Sequence, residues 1–167
     1  MAREHYALWY RLDEVDAFLL WYSDEGDGIE LDASGRAPAF RSVEALDAFV
    51  ARLGVSRSAE APLLHDLDAL AGWLAAPSPD GIDCSKLLTA WNLFLDLRSA
   101  VTGRNAVREL HGYNDLYDKL FFKNNLPSVT PPGKRYTPRW SASEVTRLAS
   151  YLGTRLDDFR RRVELAP

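Results

Sequence analysis

The segment from residue 83 to residue 101 constrains the fold more than any other part of the chain. Its apolar side chains recur at helical spacing and cover well over half of the helix circumference: Leu87, Leu88, Trp91, Phe94, Leu95, Leu97 and Val101. A helix that is apolar on most sides needs several neighbours to cover it. The sequence therefore predicts a central, buried helix with Asp83 as its N-cap, and a buried Trp91 that contacts the helix beginning near Ser141.

The N-terminus has a different periodicity, because apolar and polar residues alternate in two runs, residues 6–12 and 15–22. A period of two indicates strands, and the intervening Asp13-Glu14 pair indicates a hairpin. Apolar residues fall on both faces of the second run, so we expect both faces of the sheet to be covered. Short third and fourth strands are predicted at residues 29–32 and 38–41, the last at a sheet edge because of Pro38.

The rest of the chain predicts helices. Ser42 and Gly54 are typical N- and C-terminal caps of a helix packed on the sheet. After a connection at residues 55–63, helical stripes are centred near Leu70 and Leu116. The sequence thus predicts one α+β domain over residues 1–167. It has an antiparallel β-meander of three to four strands plus a helix at 1–54, and a predominantly helical part at 64–165.

Ser141-Ala142-Ser143-Glu144 is a capping box, the clearest local signal in the chain. The apolar stripe that starts at Val145 continues with helical spacing to Val163. Gly153 interrupts this stripe, and we expect it to separate two helices.

Composition excludes several classes of protein. The 167 residues are 47% hydrophobic and 26% charged, as in an ordinary globular chain. Cys84 is the single cysteine and cannot form an internal disulfide, and no apolar run approaches the roughly 18 residues of a membrane span. The first residues lack the pattern of a secretory signal. We therefore expect a cytoplasmic protein without membrane association.

Charge is distributed unevenly, although the net charge is only −4. Residues 1–50 contain 4 basic and 11 acidic side chains, whereas residues 104–167 contain 12 basic and 7 acidic ones. A hairpin turn does not by itself need five carboxylates, so we expect the acidic cluster to be a contact surface for a basic protein partner. Its members are Asp24, Glu25, Asp27, Glu30 and Asp32.

Candidate chemical sites are sparse. The order of residues in the acidic turn does not match an EF-hand, and the histidines and the cysteine show no metal-ligand spacing, so neither a metal nor a cofactor is predicted. Asn92 and Asp96, one helical turn apart on the apolar helix, are expected to form a structural polar pair.

Two alternatives to protein binding stay open. One is an enzyme whose site is built from dispersed residues around Cys84 and His65, with three other residues in the candidate pool: Asp96, His111 and Tyr117. The other is nucleic-acid binding by the basic C-terminal region, where aromatic residues lie among the cations. The residues concerned are Lys134, Arg135, Tyr136, Arg139, Trp140 and Arg160-Arg161-Arg162. The acidic pI of about 5.4 argues against the second.

Three groups of residues between about 64 and 160 carry a family resemblance. They are Asp83-Cys84-Ser85 with Leu88-Thr89-Ala90-Trp91-Asn92-Leu93-Phe94, Tyr117-Asp118-Lys119-Leu120-Phe121 with Asn124-Asn125-Leu126-Pro127, and Tyr136 with Pro138, Trp140 and Glu144. With these the chain resembles small bacterial immunity proteins of polymorphic-toxin and contact-dependent inhibition systems. The resemblance implies an inhibitor that binds a toxin domain, often a basic nuclease, in the cytoplasm. It implies no catalytic residue.

Overall fold

A computed structural model of the chain describes residues 3–106, 110 and 112–167. Six strands and five α-helices are described, in this order: β1 (Glu4–Leu12), β2 (Val15–Ser23), β3 (Asp27–Ile29), β4 (Ala37–Ala39), α1 (Val43–Leu53), β5 (Leu64–Asp66), α2 (Leu67–Ala75), α3 (Cys84–Thr102), α4 (Asn114–Phe122), α5 (Ala142–Arg162) and β6 (Val163–Leu165). The predicted α+β class is confirmed.

The main sheet has the order β3-β2-β1-β5 and is mixed, because β5 runs parallel to β1 while the other neighbours are antiparallel. The predicted hairpin of β1 and β2 is present. Its turn residues Asp13 and Glu14 both have positive φ angles, 53° and 62°. The third strand begins two residues before its predicted position.

The fourth strand does not continue the meander as the sequence suggested. Strand β4 pairs in parallel with β6 in a separate two-stranded sheet, and next to it Phe40 exchanges backbone hydrogen bonds with Phe18 of β2. Strands β5 and β6 were not predicted, since each has only three residues and is held by a partner that is distant in sequence.

The main sheet is covered on both faces, as its alternating pattern predicted. On one face α1 packs over side chains that include Ala7, Leu20 and Phe40. On the other face Leu8, Tyr10 and Leu19 belong to the larger core, to which α2, α3, α4 and α5 all contribute. Helix α3 lies at the centre of this core and Trp91 is fully buried, which confirms the central position expected for this helix.

The predicted helix caps are present. The hydroxyl of Ser42 and the carboxylate of Asp83 accept backbone N–H groups at the starts of α1 and α3, and Gly54 ends α1 with a φ of 70°. Ser141 and Glu144 form the capping box of α5.

The prediction of two helices separated at Gly153 was wrong, because α5 runs without a break from Ala142 to Arg162. A glycine inside a helix costs only about 1 kcal/mol relative to alanine. Buried Leu152 and Leu156 on either side offset that cost by packing into the core.

Candidate functional site

Two neighbouring clefts open along one face of α3. The first, called here the apolar cleft, has a volume of about 460 Å³. Its lining includes Tyr6, Leu8, Trp21, Leu63, His65, Asn92, Leu93 and Asp96. The second, called the acidic cleft, has a volume of about 500 Å³ and lies beside the β2–β3 turn. Its lining includes Arg3, Tyr22, Asp24, Glu25, Asp27, Asp96 and Ser99. Asp96 lines both clefts and joins them.

Helical spacing explains why α3 can line both clefts. Asn92 and Asp96 are four residues apart, and Ala100 follows four residues later, so all three lie on one stripe of the helix. Asn92 lies on the apolar cleft and Ala100 on the acidic cleft. The stripe therefore runs from one cleft to the other and has Asp96 at its centre.

Asp96 is the most strongly perturbed carboxyl of this site. Its Oδ2 atom accepts a 2.9 Å hydrogen bond from the indole Nε1 of Trp21. Burial raises the pKa of Asp96 to about 6, a rise that the Trp21 hydrogen bond partly opposes and the nearby charge of Asp27 adds to. Within the described residues no lysine or arginine forms an ion pair with Asp96. The carboxylate is thus ionised at neutral pH without a cation to balance it.

The predicted polar pair, Asn92 and Asp96, is divided between two partners. Asn92 is exposed and accepts a 2.8 Å hydrogen bond from the hydroxyl of Tyr117, whereas Asp96 turns towards Trp21. Both residues line the apolar cleft, so their polar groups belong to its wall.

The five predicted partner-binding carboxylates do not all lie together. Asp24, Glu25 and Asp27 line the acidic cleft, while Glu30 and Asp32 do not. Glu25 and Asp27 are exposed. The three residues that reach the cleft, together with Asp96, make up its acidic lining.

Four of these carboxylates have local partners that the sequence did not indicate, and one of the four is Asp27, which accepts a 2.8 Å hydrogen bond from the hydroxyl of Ser23. Asp24 accepts from the backbone N–H of Gly26 and from Arg3, and both contacts hold the pKa of Asp24 below its usual value. Glu30 accepts from Arg3 at 2.9 Å and contacts Nε2 of His5 at 3.0 Å.

Asp32 has a similar role in the next turn. It accepts from the hydroxyl and the backbone N–H of Ser34 and from the backbone N–H of Arg36, contacts that lower its pKa. Asp24 and Asp32 therefore accept backbone N–H groups of their own turns and help to shape them.

The proposed enzymatic residues are divided between separate cavities. His65 lies in the apolar cleft, whereas Cys84 lines another cavity with Lys123 and Asn124. Burial raises the pKa of the Cys84 thiol, which disfavours the reactive thiolate. Nδ1 of His65 contacts the carbonyl oxygens of Trp9 and Leu63 at 3.2 and 3.1 Å. Carbonyls only accept, so Nδ1 carries the proton, and burial lowers the pKa of the ring. His111 lies outside the described residues.

Three of the six basic residues considered for nucleic-acid binding form ion pairs within the described part of the chain. Arg160 forms ion pairs with Asp13 and Asp157, and both Arg161 and Arg162 pair with Asp158. Lys134 and Arg135 line a cavity that also contains Asp115 and Asp118. Trp140 packs against the large core with the Lys119 ammonium 5.3 Å from its ring centroid.

Metal-binding clusters and membrane-spanning helices are both absent from the described residues. These residues contain no group of three or more His, Cys, Asp or Glu side chains placed to hold a metal ion. Over the same part of the chain, no helix combines the length and the apolar character that crossing a membrane requires.

Comparison with known proteins gave one structural likeness. No protein-family model matches the chain, and no curated protein matches it in sequence. The C-terminal domain of SatS, whose crystal structure is described as a complex with bromine, has a similar fold. The TM-score is 0.56 at 15% sequence identity, over 98% of this chain and 94% of that one. At 15% sequence identity, the similarity shows that the two chains share a fold and shows nothing more.

Proposed function

We propose that this protein is a non-catalytic binding protein that captures a basic segment of a protein partner. In its specific form the proposal is an immunity-type protein that neutralises a bacterial toxin domain. The observation that carries it is the placement of Asp96, whose carboxylate has no cationic partner within the described residues and lies where the apolar and acidic clefts meet. An ionised carboxylate in this position costs stability until a cation approaches.

The apolar cleft suits the side chain of a lysine or arginine. The rings of Tyr6 and Trp21 lie 5.4 Å apart, and aromatic faces attract cations. Ala61 and Pro62, which line the cleft and are not buried, offer apolar surface for the aliphatic part of such a side chain, and the Asp96 carboxylate would accept its charged end.

Leu63 adds an apolar anchor at the same place. It is 81% exposed, the most exposed large apolar side chain in the described part of the chain, and it lines the apolar cleft. Exposed apolar residues beside a cleft are typical of contact sites. A partner that covers Leu63 would also exclude water from the Asp96 carboxylate and strengthen its interaction with a cation.

The acidic cleft would attract further basic residues of the partner. Glu25 and Asp27 add negative charge next to Asp96, whereas the charge of Asp24 is balanced by Arg3. Complementary charge of this kind accelerates association and discriminates against acidic partners. Its effect decreases with salt, because exposed charges are screened over about 8 to 10 Å at ordinary ionic strength.

The test compares association rates with a toxin domain encoded beside the gene, measured by surface plasmon resonance at two salt concentrations. Replacing Glu25 and Asp27 with lysine should slow association about tenfold or more at low salt. The matched control is Asp80→Lys with Asp118→Lys, which changes the net charge equally at two exposed positions outside both clefts. Asp96→Asn should accelerate dissociation.

Two results would count against the proposal. Equal association rates for the Glu25/Asp27 variant and the control variant would show that the acidic cleft is not the contact surface. Absence of binding by the unmodified protein would contradict the immunity-type function itself.

An enzyme is the second candidate, because His65 and Asp96 line the same cleft. It is the weaker one, since Cys84 lies in another cavity and Nδ1 of His65 is bound to backbone carbonyls. Turnover of simple ester or phosphoester substrates that disappears in His65→Ala, with folding preserved, would favour this alternative.

A further inference from the structure

A separate cavity, of about 240 Å³, lies between α3 and α5 on a different side of α3 from the two clefts. Leu95 and Arg98 line it from α3, and Tyr113 lines it from the segment before α4. Helix α5 supplies Ser150, Tyr151, Thr154 and Arg155. Pockets for drug-sized ligands usually have volumes of about 300 to 1,000 Å³, so this cavity suits a smaller molecule.

The charge of this cavity is positive. Arg155 lines it from α5, and none of its described lining residues is an aspartate or a glutamate. Arg155 forms no ion pair with a carboxylate of the described residues, and its guanidinium carbon lies 5.8 Å from the ring centroid of Tyr151. The positive charge of Arg155 is therefore not neutralised by the protein groups described.

The hydrogen bonds of Arg155 are incomplete as well. Its Nε atom is buried, and no acceptor lies within hydrogen-bonding distance of it. Buried donors are satisfied in the great majority of cases, because an unsatisfied buried donor costs about 1 to 3 kcal/mol. An acceptor supplied from outside the protein would give the guanidinium the partners that it lacks.

Most of the other lining side chains carry hydroxyl groups. The rings of Tyr113 and Tyr151 pack in a tilted arrangement with their centroids 4.6 Å apart, which fixes that wall of the cavity. Thr154 donates its hydroxyl proton to the carbonyl oxygen of Ser150, so one edge of the cavity is held by α5 itself. Hydroxyl groups and a guanidinium are the usual protein partners of phosphate and carboxylate oxygens.

We propose that this cavity is a binding site for a small oxyanion that carries a phosphate or a carboxylate group. The guanidinium of Arg155 provides the main charge, and the hydroxyl groups of Tyr113, Ser150 and Tyr151 provide further hydrogen bonds. The site does not depend on the proposed function, since it shares no lining residue with the two clefts. It would make the protein responsive to a small metabolite or to a phosphorylated or carboxylate-bearing group.

The test is a titration of the full chain with inorganic phosphate and, separately, with acetate, followed by two-dimensional NMR of backbone amides. Sodium chloride at matched ionic strength is the control for general charge effects. We expect saturable shifts centred on residues 150–155 and on Tyr113. The anion that binds more tightly identifies the preferred group, phosphate or carboxylate.

Variants distinguish this site from a general effect of positive charge. Arg155→Met should weaken binding about tenfold to a hundredfold, because charge-assisted hydrogen bonds are worth roughly 1.5 to 3 kcal/mol. Arg161→Gln removes the same charge from an exposed position of the same helix and should bind like the unmodified protein. Arg155→Lys keeps the charge but loses the planar fork, and should bind with intermediate affinity.

Any one of three outcomes would contradict the proposed binding site. They are shifts no larger than those in sodium chloride, shifts centred on Arg160-Arg161-Arg162, or equal weakening in Arg155→Met and Arg161→Gln. If Arg155→Met does not fold, Arg155→Lys and Ser150→Ala decide the question, and unchanged affinity in both would exclude the site. Asp96→Asn must leave the titration unchanged, which separates this inference from the proposed function.

Discussion

The indole N–H of Trp21 donates a 2.9 Å hydrogen bond to Oδ2 of Asp96, a residue that follows it by 75 positions in the chain. This bond connects the main sheet to α3 and holds a carboxylate whose pKa is about 6. The pair therefore links the stability of the fold to the charge of the candidate site, and two predictions follow from it.

Asp96→Asn should stabilise the protein at pH 7.5 by about 1 to 3 kcal/mol. The folded pKa of about 6 is above the ordinary value of 3.8, so the folded state binds the proton more tightly than the unfolded state. The destabilising effect of Asp96 is complete above pH 6 and is relieved as the pH falls towards 4. Denaturant unfolding should show a higher free energy of unfolding for the variant than for the unmodified protein at pH 7.5, but not at pH 4. An equal gain at both pH values would contradict this assignment.

Trp21→Phe should raise the pKa of Asp96 further, because a hydrogen bond to the charged form of the carboxyl is lost. Carboxyl carbon chemical shifts followed by NMR against pH would measure the change. Trp9→Phe is the matched control, since Trp9 donates its indole N–H to a different carboxylate, that of exposed Asp16. An unchanged titration of Asp96 in the Trp21 variant would show that the hydrogen bond is weak in solution.

Trp91→Ala should destabilise the protein by about 3 to 5 kcal/mol through the cavity that it leaves. Trp91 is fully buried, and its ring lies 4.5 Å from that of Tyr151 on α5 and 5.4 Å from that of Tyr117 on α4. Chemical denaturation measures the loss. Leu63→Ala, at an exposed position, should stay within about 0.5 kcal/mol of the unmodified protein. Similar losses in both variants would argue against the central position of α3.

Glu14→Gly should stabilise the protein by about 0.5 to 1 kcal/mol, because a left-handed conformation is unfavourable for residues other than glycine. The carboxylate of Asp68 accepts the backbone N–H groups of Asp13 and Glu14, so the substitution keeps both bonds. Gly54→Ala should lower the thermal midpoint, because Gly54 has a φ of 70°, which is unfavourable for alanine. A loss of stability in Glu14→Gly would mean that the Glu14 side chain itself contributes.

Features that depend on local chemistry could be predicted from the sequence. The caps at Ser42, Asp83 and Ser141 each need only a side chain and the backbone within three residues of it. The burial of Trp91 followed from the apolar pattern of its own helix. The same local reasoning failed at Gly153, where distant packing decides whether a helix continues.

The candidate sites depend on contacts between distant residues, so the sequence indicated them only in part. The pattern placed Asn92 and Asp96 together but could not show that Trp21 would bind one of them. The sequence did not indicate a binding role for Arg155, because an arginine on an amphipathic helix is usually solvated. Its cavity forms only when α3 and the segment around Tyr113 approach α5. An uneven distribution of charge along a chain does not show which carboxylates share a cleft.

The pairing of β4 with β6 has a consequence for the order of folding. Near this small sheet, Arg36 and Glu164 form a 3.4 Å ion pair although they are 128 residues apart in the chain. Bringing together segments so distant carries a larger entropy cost than closing the short hairpin of β1 and β2. The amides of the hairpin are therefore expected to gain protection against hydrogen exchange early in refolding. The backbone N–H of Ala166, which donates to the carbonyl oxygen of Ala39, is expected to gain protection late. Protection at Ala166 would then mark the moment at which the C-terminal strand β6 is joined to β4.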